Sequence, residues 1–393
     1  MVHNQVSNRH CITTFFVFTL LITTLSLSGC GGGDNSGDGS TASPIWKNIA
    51  TSNTSFHTVA IKIDGTLWAW GENSHSQLGD GSATNMTKPT QIGTASNWSS
   101  VATGAYHSLA IKLDGTLWGW GINQYGQLGD STATDKTTPA QIGTANNWMN
   151  VAAGWGHTVA LKSDHTLWAW GNNWYGQLGD GTTTHKSTPT QIGGSDWASV
   201  TAGPYHTLAI KNDGTLWAWG VNWGGQLGDG TAENRTTPTQ IGTDTHWASV
   251  AAGGWHSLAL KSDGALWGWG INSNGQLGNG AVGGNSWSPT QIGTDTDWMS
   301  VATGNSHVIA TKSNGTLWAW GNNYFGQLGD ETTVDKFSPV QIGSDTGWAT
   351  LIAGSSSSIA LKSDGGLWVW GNNSYGQLGD NTTENKKSPV QIK

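Results

Sequence analysis

The chain has 393 residues, rich in Gly (58) and Trp (26), with 11% charged residues and a formal net charge of -8. An acidic chain so poor in Lys and Arg lacks the basic footprint that a nucleic acid or an anionic lipid surface requires, so neither is an expected partner by charge. The length is ample for a large core, and only two cysteines are present, so stability is expected from packing rather than disulfides.

The chain begins with a targeting pattern. Arg9 and His10 precede an apolar run from Phe15 to Leu27, too short to span a bilayer comfortably, which ends Leu27-Ser28-Gly29-Cys30. This ending resembles the lipobox of bacterial lipoproteins. The resemblance implies that residues 1–29 are removed, that Cys30 is acylated, and that several acyl groups make the anchor durable. It also implies export to the cell envelope. Gly31, in place of the Asp that signals inner-membrane retention, points to the outer membrane. Cys11 lies in the leader and would be lost with it. Gly31 to Ser43 is rich in Gly, Ser, Asp, Asn and Thr and reads as a flexible tether, giving an anchor segment of 30–43.

From residue 44 to 393 the chain repeats itself. Gln-Leu-Gly recurs at Gln77, Gln127, Gln177, Gln226, Gln276, Gln327 and Gln377, every 49 to 51 residues. Leu-Trp-x-Trp-Gly, Pro-x-Gln-Ile and a lone Trp (from Trp46 to Trp348) each recur seven times as well. One unit reads as four short strands. Trp197–Ala202 alternates and stops at Gly203, and His206–Lys211 ends in the Asn212-Asp213-Gly214 turn. Leu216–Trp219 is the aromatic strand, and Pro238–Ile241 is a short strand whose proline suits an outer edge.

A lone four-stranded sheet cannot hide two apolar faces, but seven packed radially can. Trp217 and Trp219 point to one face, and Leu216 and Ala218 to the other. Each large ring removes roughly 150–250 Å² from water. The slim run Val200-Thr201-Ala202-Gly203 suits the innermost strand. The expected fold is all-β: a seven-bladed β-propeller with four-stranded antiparallel blades. Whether the last blade closes as a complete unit or with strands from both ends stays open at this level.

The pattern closely resembles the RCC1 repeat family. The motifs that carry it are Ala-Gly-x-x-His-Thr-x-Ala-Leu, Asp-Gly-x-Leu-Trp-x-Trp-Gly-x-Asn and Gly-Gln-Leu-Gly-Asp, over residues 46–392. The resemblance implies seven blades and a binding role. The family includes chromatin-associated exchange factors for a small GTPase and secreted inhibitors that clamp a bacterial hydrolase. Export and an acidic composition fit the first role poorly.

Six repeats hold a His at one position: His57, His107, His157, His206, His256 and His307, with Ser357 in the seventh. One His per blade cannot converge on a single ion, so the expectation is a structural hydrogen bond at the turn between strands, with no metal and no cofactor. The Asp residues of the Asp-Gly turns and after Gln-Leu-Gly read as turn caps, since no dense acidic loop is present. There is no P-loop, His-Glu-x-x-His or Gly-x-Ser-x-Gly, and no catalytic set stands out from the repeats, so no enzyme is expected, a hydrolase or lyase being the least favoured reading.

The repeats are broken mainly in aromatics. Tyr106, Trp155, Tyr205 and Trp255 lie just before the repeat His, as does Phe56. Trp174, Tyr175, Trp223, Tyr324 and Phe325 lie in the Asn-x-x-Gly loop, as do Tyr125 and Tyr375. Loop Trp and Tyr are rigid contact groups that concentrate binding energy. The first nine-residue set, without Phe56, Tyr125 and Tyr375, is the candidate binding face. The sequence leaves open whether the two loop positions share one side of the blade. The expected partner is an envelope or extracellular protein, with a cell-wall glycan as the alternative.

Overall fold

The computed structural model describes residues 46–392; the leader, Cys30 and the tether lie outside them. Seven four-stranded antiparallel sheets are present, each built from four consecutive strands. Blade 1 comprises β1 (Trp46–Ala50), β2 (His57–Lys62), β3 (Leu67–Gly71) and β4 (Met86–Gln91). Blades 2 to 7 repeat this order over 98–141, 148–192, 197–240, 247–291, 298–341 and 348–392. Blade 7 is complete in itself, so the ring closes without exchanging a strand.

Local chemistry sets each strand's place. The β2 sequence His-Thr-Val-Ala-Ile-Lys is buried up to its final Lys, as befits a strand covered on both faces. It turns at Asp64, whose Oδ1 accepts from the Thr66 amide at 3.0 Å and the Thr66 hydroxyl at 2.6 Å. β4 carries Pro89, which has no N–H to donate, and forms the half-exposed outer edge.

The core lies between blades, not within them. The aliphatic face of blade 1 (Val59, Ile61, Leu67, with Leu78 from its loop) packs on the Trp and Ala face of blade 2 (Trp98, Ala110, Trp120). The same pairing recurs at each boundary, and the seam uses it too. Ile359, Leu361 and Leu367 of blade 7 pack on Trp46, Ala60 and Trp70 of blade 1. A head-to-tail interface of this kind closes into a ring when its rotation permits. The two tryptophans of the aromatic strand do not share a fate: Trp70 is fully buried, whereas Trp68 is half-buried under the Lys62 ammonium, 3.4 Å from its ring centre.

The first strands face the axis and line a central cavity of about 300 Å³ with Val, Ala, Thr, Ile and Leu. Blade 1 has six residues between Ala50 and His57 where blade 2 has four between Ala102 and His107. The extra length carries Asn53 across the axis, where its Nδ2 donates to the Ala252 carbonyl of blade 5 at 2.6 Å.

Candidate binding face

In an up-and-down blade, the loop joining the first two strands and the loop joining the last two emerge at the same end. Both classes of loop aromatic therefore share one side of the ring. The longer loop is held by a buried Asn. Asn173 Oδ1 accepts from the Leu178 amide at 3.0 Å, and its Nδ2 donates to Asp180 Oδ1 at 3.0 Å and to the Thr182 and Thr184 carbonyls at 3.0 and 3.1 Å. Gln177 Oε1 accepts from the Tyr175 amide at 2.9 Å. The backbone under Trp174 and Tyr175 is thus set before any partner arrives.

This loop also docks on the next blade. The Gln77 carbonyl accepts from Ser108 Oγ at 2.7 Å and from the Trp120 indole at 2.9 Å, both in blade 2. A Cβ on Gly79 would lie 2.7 Å from that indole nitrogen, and the residue's φ is +79°, so only glycine fits. At the seam, Thr58 and Trp70 donate to the Gln377 carbonyl at 3.2 and 3.0 Å.

The rings on this face touch in an unbroken row. Trp155 stacks on Trp174 (centroids 6.3 Å, 26°), and Tyr125 reaches Trp155 at 5.6 Å and Trp174 at 5.0 Å. Trp155 continues to Tyr205 at 5.7 Å, Tyr205 to Tyr175 at 5.5 Å, and Tyr175 to Trp223 at 5.0 Å. Trp223 stacks on Trp255 (6.3 Å, 17°), which closes back on Tyr205 at 6.1 Å. The arc crosses blades 2 to 5. Trp174 and Trp223 stand 48% and 55% exposed, while Trp155, Tyr175, Tyr205 and Trp255 are half-buried beneath them.

Three residues of the expected face stand apart from this row. Tyr106 touches His75 at 4.8 Å, and Tyr324, 72% exposed, pairs with Phe325 at 4.8 Å in blade 6. Two members of the row were outside the expected face. Tyr125 bridges Trp155 and Trp174. His185, 5.5 Å from Trp174, fills a position that is Asn or Asp in most blades, and its Nδ1 accepts from the Asn173 amide at 2.9 Å. A His in an Asn or Asp column was the available signal. Burial lowers the His185 pKa.

The tips that carry the arc (123–128, 172–178, 221–227) and the turns 154–156, 203–205 and 253–255 contain no Asp, Glu, Lys or Arg. Their polar groups are the Asn and Gln amides, the Tyr hydroxyls, the Trp indole N–H groups and backbone.

The repeat histidines lie deeper, at the start of each second strand, and their bonds run between blades rather than to a turn. His57 Nε2 is 2.8 Å from Ser108 Oγ, His107 Nε2 is 3.3 Å from Thr158 Oγ1, and His157, His206 and His307 repeat the contact at 3.0 to 3.3 Å. Each hydroxyl donates to a Gln carbonyl, so it accepts from a protonated Nε2. Full burial pushes the pKa of His57, His107, His157, His206 and His256 down to about 3 and that of His307 to about 4. Among the described residues, no three His, Cys, Asp or Glu side chains converge.

The RCC1-like domain matches residues 49–249, and the regulator of chromosome condensation (RCC1) repeat matches 263–311, 314–361 and 364–393. The fold is similar to human WBSCR16 at 22% identity over 84% of this chain and 94% of that one, with a TM-score of 0.76. It is also similar to Prp20p from Saccharomyces cerevisiae, a structure described with its binding to Gsp1p and histones, at 22% identity over 85% and 87% with a TM-score of 0.75. Yeast RCC1 (Prp20) in complex with Kap60 matches at 21% identity over 93% and 91% with a TM-score of 0.76. With its seven repeats, their closed ring and these matches, the chain belongs to the RCC1-repeat family.

Proposed function

We propose that this propeller is a non-enzymatic binding scaffold that engages another protein through the aromatic arc of blades 2 to 5. The observation that carries the reading is the unbroken row of ring contacts with Trp174 and Trp223 exposed on top. Rigid rings on a set backbone lose little entropy on contact and bury large area, the properties of an interface hot spot. The Trp, Tyr, Asn and Gly of these loops are also residues enriched in antibody combining sites. Prp20p, described as a binder of Gsp1p and histones, supports protein recognition by this fold. Acylation of Cys30, with the 31–43 tether, would hold the scaffold at the outer membrane.

One feature favours a glycan instead. Trp223 and Trp255 lie within 17° of parallel in a charge-free setting with Asn nearby, and an exposed ring face of this kind suits stacking on a neutral sugar. The deciding experiment immobilises the chain and presents envelope and culture-fluid proteins alongside a glycan array. A dominant protein ligand lost in Trp174→Ala/Trp223→Ala supports the scaffold reading. A glycan signal lost in the same variant, with no protein captured, replaces it.

A further inference from the structure

Blade 1 departs from its sisters at the residue that opens the longer loop. Blades 3, 6 and 7 place Asn172, Asn322 and Asn372 there, and each accepts from Nε2 of its own blade's Gln at 2.6 Å. Blades 2, 4 and 5 place Ile122, Val221 and Ile271. Blade 1 alone places an acid, Glu72, which is 8% exposed. Its side chain is one methylene longer than Asn and misses the Gln. Oε1 accepts from Ser74 Oγ at 3.0 Å, while Oε2 and Gln77 Nε2 are both buried without a partner. Among the described residues no Lys or Arg forms a salt bridge with Glu72. A buried carboxylate oxygen lacking a donor is costly, and burial accordingly raises the Glu72 pKa.

The surroundings are aromatic. The Glu72 amide donates to the Phe56 carbonyl at 2.9 Å, and the Phe56 ring meets Tyr375 at 5.3 Å. The Tyr106 ring joins the cluster through His75, 4.8 Å away, and its phenol pKa is raised by burial first and then by Glu72 and Tyr375. Aromatic rings clustered near an unpaired carboxylate suit a cation: the carboxylate supplies the charge-assisted hydrogen bond and the rings the quadrupole.

We propose that Glu72, with Phe56, Tyr106 and Tyr375, is the anchor point for a lysine or arginine side chain of the polypeptide partner. The proposal rests on the protein-scaffold reading, and the site lies at the same end of the ring as the arc. The arc tips carry no Asp, Glu, Lys or Arg to set the partner's register by charge; one cation seated at blade 1 supplies that element. Oε2 is covered in the free ring, so entry moves a covering side chain, and exposed His75, edge-on to Tyr106, is the one we assign.

The probes are N-acetyl-arginine amide and N-acetyl-lysine amide, with N-acetyl-norleucine amide as the neutral control. They are titrated into the full chain carrying labelled tyrosine, whose six rings are few enough to resolve by NMR. Saturable shifts at Tyr106 and Tyr375 with the two cations only, weakened at least tenfold in Glu72→Gln, are expected. Glu72→Asn is the second variant. It restores the bond to Gln77 seen in three sister blades, so it should fold at least as well as the parent while losing the response. Equal responses to norleucine amide, equal responses in the Glu72 variants, or no response at these two rings would overturn the proposal. The Trp174→Ala/Trp223→Ala chain should keep the cation response, so failure of the arc reading and failure of the anchor are seen separately.

Discussion

Across the boundary between blades 5 and 6, His256 is matched with Val308 where its counterparts meet a hydroxyl, and its Nε2 has no hydrogen-bond partner. Val308 pairs with Trp320 as Ser108 pairs with Trp120, so the two positions are equivalent. A Thr at 308 would accept from His256 Nε2 and donate to the Gln276 carbonyl, which already takes the Trp320 indole at 3.0 Å. Val308→Thr is therefore expected to stabilise the ring by about 1 kcal/mol, the usual value of satisfying a buried donor. The check is a higher denaturant midpoint at unchanged slope. A lower midpoint would mean that the added hydroxyl is not seated as in the other blades.

The same histidines make the ring acid-sensitive. Their folded pKa values of about 3 to 4 lie below the value near 6.5 of an unfolded His. Above pH 6.5 both states are neutral and the full stability is present. As pH falls below 6.5 the unfolded chain takes up protons that the folded ring refuses, and stability drops until the folded values are reached. Each histidine contributes on the order of 1 kcal/mol per pH unit in that window. Chemical melts between pH 7.5 and 4.5 should show the midpoint falling steeply below pH 6.5. His307→Ser, the residue blade 7 already uses at Ser357, should be less stable at pH 7.5 yet show a shallower fall. An unchanged slope would remove His307 from the acid response.

Asn53 ties blade 1 to blade 5 across the axis, is 4% exposed, and is matched by no equivalent bond in the other blades. Asn53→Ala removes the donor and leaves the Ala252 carbonyl unpaired, a loss of about 1–2 kcal/mol. Hydrogen exchange should quicken in the inner strands of blades 1 and 5 first, since the bond joins them. Uniform protection with an unchanged midpoint would show that the cross-axis bond contributes nothing.

Blade number, strand order and the inner and outer strands were legible because each blade repeats its markers: a Trp to open, Leu-Trp-x-Trp-Gly third, and Pro on the edge. Seam closure was not legible, because it rests on whether Ile359 and Leu361 of blade 7 meet Trp46 and Trp70, contacts more than 280 residues apart in the chain. The candidate face was half legible. The aromatics show as departures from the repeat, but Tyr125 and Trp155 meet only because neighbouring blades bring two different loops together. His185 and Asn53 escaped for a related reason. Each takes its role from a partner far along the chain, Tyr125 for His185 and Ala252 for Asn53.

Recognition and architecture fall to different tryptophans. Trp219 is fully buried, donates its indole N–H to the Gln177 carbonyl at 3.0 Å and packs on Leu167, Leu178 and Val159 of blade 3. Trp219→Ala opens a cavity and orphans that carbonyl, so it should cost about 3–5 kcal/mol. Trp174 and Trp223 lie on the surface of the arc with no hydrogen bond from either indole nitrogen, so Trp174→Ala/Trp223→Ala should cost under about 1 kcal/mol. If the arc is the recognition face, the exposed pair should instead weaken partner capture at least tenfold, and Trp155→Ala beneath Trp174 should do both in part. The measurement is the thermal midpoint beside the binding constant for each variant. Loss of binding in step with loss of stability across all of them would assign the whole row to packing, whereas binding lost at full stability in the exposed pair assigns it to recognition.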